Sequence, residues 1–189
     1  MTVKLVGSTS GSVSLQAPAS TTGGAHRVLT LPDVDGTVAT TTTAGKILQV
    51  VEGSTTSQVS TTTAGYIDTG LSQAITPLQT GSQILVIVSQ NVGFERYSTG
   101  NGASLKLFQD STVLYDPPQL YENYLYVGGS FMNLRLRAHL TFKHAHGKTA
   151  GTSTTYKTQG ALHQATNTAL IYFQGNNMRS SIVLMEIAS

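Results

Sequence analysis

The chain has 189 residues, enough for one full-sized β-sandwich with an appended segment or for two small domains. Charged residues make up only 11%, and eleven Lys and Arg against nine Asp and Glu leave a net charge of +2 with no dense basic run, which excludes a phosphate-reading nucleic-acid binder. There is no cysteine, so disulfide scaffolds and thiol catalysis are excluded as well.

The opening MTVKLVGSTSG lacks the apolar stretch of a signal peptide, and no run reaches membrane-spanning length, so no membrane partner is expected. Residues 1 to about 63 are rich in Gly, Ser and Thr and carry short apolar alternations. Val13 and Leu15 alternate with Ser12, Ser14 and Gln16. Val28, Leu29 and Leu31 follow Gly23-Gly24, and Pro32-Asp33-Val34-Asp35-Gly36 closes that strand as a turn. Strands this short cannot build a core of their own; they gain stability by lying along a partner or by wrapping with other chains. Val13, Leu15, Val28, Leu29 and Leu31 are therefore read as attachment contacts. The phrase Thr41-Thr42-Thr43-Ala44-Gly45 returns as Thr61-Thr62-Thr63-Ala64-Gly65, and two copies are too few for a repeat architecture. The expected division is 1–63, a β-rich attachment segment, and 64–189, a β-sandwich domain.

From Tyr66 onward the pattern is strand after strand. Ile67 to Ala74 ends at Ile75-Thr76-Pro77, and Gln83 to Gln90 is apolar enough for a central strand. Gly100 to Gly102 reads as a turn into Ala103 to Gln109; Val113 to Tyr115 stops at Asp116-Pro117-Pro118. Tyr121 to Val127 and Phe131 to Phe142 follow, and in the latter Arg135 and Arg137 share one face while Leu134 and Leu136 share the other. Residues 144 to 156 read as an exposed loop. Lys157 to Leu162, Ala169 to Gln174 and Ile182 to Ile187 complete the set, with Gly175-Asn176-Asn177 as a tight turn. No segment has a helical period, so the fold class is all-β: a C-terminal β-sandwich or jelly-roll-like module after a short-stranded extended N-terminal segment.

Side chains with chemistry are few. Tyr115, Tyr121, Tyr124 and Tyr126 surround Asp116-Pro117-Pro118 and offer an interface or receptor contact, or else line the core. His144 and His146 sit two apart, as two ligands on one strand face do, but zinc needs three or four donors and no cysteine supplies them. His139, between Ala138 and Leu140, reads as a core or interface histidine. Asp33 and Asp35 read as turn residues rather than calcium ligands. No metal site and no cofactor is expected. There is no Gly-x-Ser-x-Gly elbow, and the mid-chain acids Glu95, Asp110, Asp116 and Glu122 are too scattered to name a catalytic pair, so an enzyme is not expected.

The stretch Gly11-Ser12-Val13-Ser14-Leu15-Gln16-Ala17-Pro18 through Leu29-Thr30-Leu31-Pro32-Asp33-Val34-Asp35-Gly36-Thr37-Val38 resembles a segment of tailed-phage virion proteins, especially those of cyanophages. Ile75-Thr76-Pro77, Gln83-Ile84-Leu85-Val86 and Ser180-Ser181-Ile182-Val183-Leu184-Met185-Glu186-Ile187 are similar to the β-sandwich module at the ends of such proteins. The resemblance implies a homotrimeric virion component whose partners are the major capsid protein or tail proteins. On the head it implies a capsid decoration, or cement, protein; on the tail, a fibre or receptor-binding protein that meets a host surface receptor.

Overall fold

The computed structural model describes residues 2–6, 12–16, 46–97, 101–117, 123–125, 131–163, 165 and 169–189. By its internal contacts the chain divides into Met1–Thr43 and Ala44–Ser189. In the first unit, β1 (Thr2–Val6) pairs antiparallel with β2 (Ser12–Gln16), Val3 opposite Leu15 and Leu5 opposite Val13. Val13 and Leu15 thus lie in a strand, as their alternation predicts; Val28, Leu29 and Leu31 lie outside the described residues.

The second unit is a β-sandwich. It begins earlier than residue 64, because β3 (Ile47–Thr55) and β4 (Val59–Thr61) hydrogen-bond into one of its sheets. Those strands are short of apolar residues beyond Ile47, Leu48, Val50, Val51 and Val59 and sit among Ser and Thr, which makes them resemble the N-terminal segment in composition.

The first sheet is organised by β6 (Gln83–Tyr97), fifteen residues long. One edge of β6 is covered along its whole length by β10 (Phe131–Ala145). The other edge is shared. Its first half pairs with β13 (Ser180–Ile187), beyond which lies β3; its second half pairs with β12 (Leu170–Phe173), beyond which lies β4. The second sheet runs β5 (Ile67–Ile75), β11 (Thr154–Leu162), β7 (Asn101–Gln109). The free side of β7 takes β9 (Asn123–Leu125) at one end and β8 (Thr112–Tyr115) at the other.

Strand reaches further than expected at three places. Residues 91–97 continue β6, because Val92 and Phe94 keep the inward period while Gly93 and Glu95 face out. The expected turn at Gly100–Gly102 gives way from Asn101, where β7 already pairs with β9. Likewise β10 runs to Ala145 and β11 starts at Thr154, so the loop of 144–156 shrinks to 146–153.

Two apolar clusters fill the space between the sheets. Ile84, Val86 and Val88 of β6 meet Ile182 and Leu184 of β13 and Leu71, Ile75, Leu107 and Tyr156 of the opposite sheet. Further along, Val92 and Phe94 meet Ala103, Leu105, Leu162, Ile171 and Phe173. Each fully buried Leu, Ile, Val or Phe contributes about 1.5–3 kcal/mol. On the β3 side the sheets close on each other: a methyl at Gly53 would sit 2.6 Å from the Ser72 carbonyl oxygen. Only the missing side chain lets β3 approach β5 so closely.

Candidate functional site

The inward faces of the strands carry polar residues at one level, between the two apolar clusters. On β6 the inward series is Ile84, Val86, Val88, then Gln90, then Val92 and Phe94. Thr69 of β5 and Thr158 of β11 reach the same level, their hydroxyls 2.6 Å apart. Thr158 donates to Gln90 Oε1 at 3.0 Å, and Gln90 Nε2 donates to Ser180 Oγ at 3.2 Å. The Gln174 amide joins them: with its nitrogen turned to the carbonyls of Ser57 and Thr69, at 3.2 and 3.1 Å, its oxygen accepts from Ser180 Oγ at 3.0 Å. A bulge makes this possible. Between the pairs Ser72–Lys157 and Asp68–Gln159, β5 advances four residues while β11 advances two, and Gly70 absorbs the kink at φ 80. All five side chains are fully or nearly fully buried, so the belt has no access for a ligand. It fixes the register of the two sheets, since a slip would strand each of these groups without a partner.

A second buried cluster lies at the end of the sandwich where β6 begins. Glu186 projects inward from β13, in the series Ile182, Leu184, Glu186, and is fully buried. Its carboxylate accepts from the backbone N–H groups of Leu78 and Gln79, at 2.9 and 3.0 Å, from Gln49 Nε2 at 2.7 Å and from Ser82 Oγ at 2.6 Å. Desolvation pushes its pKa up, but the bonds from Ser82, Gln49, Leu78 and Gln79 outweigh it and hold the carboxyl below its ordinary value. His146 Nε2 stands 3.0 Å from Ser82 Oγ, and Lys148 N–H donates to His146 Nδ1 at 3.1 Å. With Nδ1 accepting, the ring proton is on Nε2 and points at Ser82.

Serine, histidine and glutamate are therefore in contact, but the order is His146 to Ser82 to Glu186. In a nucleophilic triad the base takes the serine proton and the acid orients the base. Here the imidazole donates to the hydroxyl, and the hydroxyl proton goes to the carboxylate. Ser82 and Glu186 are fully buried and His146 nearly so, leaving no room for a scissile bond. The cluster clamps the 78–82 loop and the 146–153 loop to β13. The residues 146–153 are tied further by Gly151 N–H to the Pro77 carbonyl at 2.8 Å and Ala150 N–H to Thr80 Oγ1 at 2.9 Å. Spacing arguments passed over Glu186; the available signal was an acid at an inward position of an apolar strand.

His144 does not share a ligand site with His146. It bonds the Tyr156 hydroxyl at 2.9 Å, with the rings edge to face, and burial pulls its pKa below the ordinary histidine value. Among the described residues no group of three His, Asp or Glu side chains converges as metal ligands would. His139, expected in a core or interface, is exposed on the outward face of β10. The mid-chain acids go separate ways: Glu95 accepts from Asn133, Asp110 pairs with Lys148 and Asp116 with Lys106. Glu122 lies outside the described residues. Tyr115 is half-buried against the first apolar cluster. Tyr124 lies in β9 with its backbone opposite Gly102, while Tyr121 and Tyr126 lie outside the described residues.

The outward face of the first sheet carries two features. Ile47, Val50 and Ile87 are 55%, 51% and 37% exposed, with the half-buried Leu85, Val183, Met185 and Ile187 between them. Beside this apolar field runs β10, whose outward positions are Asn133, Arg135, Arg137, His139, Thr141 and Lys143, all exposed. Arg135 Nε donates to the Tyr172 hydroxyl at 3.1 Å, and Arg137 donates to Ser89 Oγ and to the Arg179 carbonyl.

No protein-family model matches the chain, and no curated protein matches it. Among solved structures it is similar to proteins of infectious bursal disease virus. The chain from that virus's icosahedral particle aligns with 95% of this chain at 15% identity and a TM-score of 0.36, over 42% of its own length. The Gx strain structure aligns with 98% at 12% identity and a TM-score of 0.36, over 45% of its length. Particles derived from a mutant VP2 protein align with 95% at 12% identity and a TM-score of 0.35, over 43% of that chain. This chain thus spans less than half the length of the proteins it matches.

Proposed function

We propose that the protein is a structural component of a virion, and that in a tailed-phage particle it is a capsid decoration protein bridging capsid subunits. One observation carries this reading. The phage-like stretch Gly11 to Val38 falls entirely inside the Met1–Thr43 unit, separate by contacts from the Ala44–Ser189 sandwich. That is the division of labour an attachment segment and a rigid module need. The apolar field of Ile47, Val50 and Ile87 supports it, because an exposed apolar patch marks a surface that another protein covers. The inward wiring of Ser82, His146 and Glu186 suits a non-enzymatic role. Val13, Leu15, Val28, Leu29 and Leu31 make the attachment contacts, the partner is the major capsid protein, and the working unit is a homotrimer on the head surface. A protein that binds only the mature lattice stabilises it by mass action, and repetition over a symmetric shell multiplies weak contacts.

A second reading is a tail fibre or receptor-binding protein, for which the exposed stretch 149–153, braced against Pro77 and Thr80, is the host-facing surface. Labelled antibody against the sandwich, imaged on intact particles, separates the two. Label over the head supports decoration and excludes receptor binding; label confined to the tail reverses the ranking.

A further inference from the structure

β10 is an edge strand. Its fifteen residues pair with β6 along one side, and among the described residues no strand pairs with the other. At about 3.4 Å per residue this is an open backbone edge roughly 50 Å long. Its inward side chains, Leu134, Leu136, Ala138, Leu140 and Phe142, pack against the two apolar clusters but stay only half-buried, as residues at the open side of a sandwich do. Its outward side chains include Arg135, Arg137, His139 and Lys143, separated by even steps and so on one face. None of the four forms an ion pair among the described residues, whereas Lys106, Lys148, Lys157 and Arg179 each do.

Charge on an edge strand commonly keeps identical edges apart. The row does that here. Two copies of β10 pairing antiparallel about Arg137 would set Arg137 against itself, and about His139 would set Arg135 against Lys143; like charges directly opposite are destabilising. A strand of opposite charge meets no such barrier. Acids at every second residue would stand opposite the cations, about 4.5–5.5 Å away between Cβ atoms, while the alternate apolar residues covered Leu136, Leu140 and Phe142.

We propose that the free edge of β10 is a docking site for an extended acidic segment of a partner protein, one that alternates Asp or Glu with apolar residues and adds to the first sheet as a further strand. The site goes beyond the virion reading and holds whether the protein sits on a head or a tail.

The test uses the full-length protein and a fluorescein-labelled decapeptide of alternating Glu and Val at neutral pH and low salt, read by anisotropy and by amide hydrogen exchange. The expected result is saturable binding, with slowed exchange at alternate amides of β10. Binding should weaken about tenfold or more when Glu is replaced by Gln in the peptide, or in the protein carrying Arg137→Glu and Lys143→Glu. It should be lost when alternate peptide nitrogens are methylated, because that removes the ladder donors and keeps the charge. Absence of binding overturns the proposal. So does equal binding of the methylated peptide, or of heparin with no protection of β10, which would make the row a general polyanion patch. Concentration-dependent self-association that the charge reversals abolish overturns it in favour of a second copy.

Discussion

The ring of Tyr172 lies against Gly93: a methyl group built on Gly93 would sit 2.0 Å from Tyr172 Cε2. Tyr172 points outward from β12, yet is only 4% exposed, because Gly93 of β6 and Gly175 leave it a bed. From there its hydroxyl donates to Asn133 at 2.9 Å and accepts from Arg135, tying β12 to β10 across the second half of β6. Gly93→Ala should therefore lift the ring and break both bonds, destabilising the sandwich by about 1–3 kcal/mol. Thermal or denaturant unfolding measures it, and Tyr172→Phe, which keeps the ring and loses the hydroxyl, should fall well short of that effect.

Glu186 links pH to stability. Its carboxyl is held below the ordinary value in the fold, so its contribution is complete above the ordinary glutamate range. It is lost as pH falls through the lowered folded value. Glu186→Gln should cost about 2–3 kcal/mol at neutral pH, since a charge-assisted acceptor of several donors is replaced by a neutral amide. The variant should also unfold less steeply on acidification than the parent. Equilibrium unfolding across the acid range, followed by circular dichroism, checks both statements.

Gln90 sits where Thr158, Ser180 and Gln174 converge. Gln90→Leu fills similar volume but leaves those three without a shared partner, and should destabilise by about 1–3 kcal/mol. A joint Gln90→Leu, Thr158→Val change should cost less than the sum of the two, because each removes a group the other leaves unsatisfied. A double-mutant cycle by denaturant titration reads the difference.

Tyr115 is half-buried against Leu107 and its neighbours, so Tyr115→Ala should lower stability by about 2–3 kcal/mol before it affects any partner. A variant with an unchanged melting temperature would contradict that placement.

The strands from Ile67 onward were legible because their apolar residues keep a strict period of two, as in Leu105 and Leu107 or Ile182 and Leu184. The continuation of β6 was harder to read. Asn91 and Gly93 look like loop residues, and only the bed they make for Met178 and Tyr172 explains them there. Asn177 and Gly175 were legible as a turn, and the left-handed φ of 56 at both Asn176 and Asn177 agrees with that chemistry. Of the two readings of His139, exposure on β10 removes the core one. Its apolar neighbours Ala138 and Leu140 belong to the opposite face, so sequence proximity counted them as surroundings when the pleat makes them strangers.

By itself, the sequence determined the all-β class, the missing cysteine chemistry and the split of β10 into a leucine face and an arginine face, because period and composition are local properties. The meeting of Ser82, His146 and Glu186 was decided only by tertiary structure, which brings together residues 64 and 104 positions from Ser82. So was the direction of the proton between them, set by the Lys148 N–H that occupies His146 Nδ1. Which edge stays open was also decided there. β3 closes against β5 through Gly53, while β10 stands beyond β6 with no described neighbour on its far side, and an open edge depends on all the other strands at once.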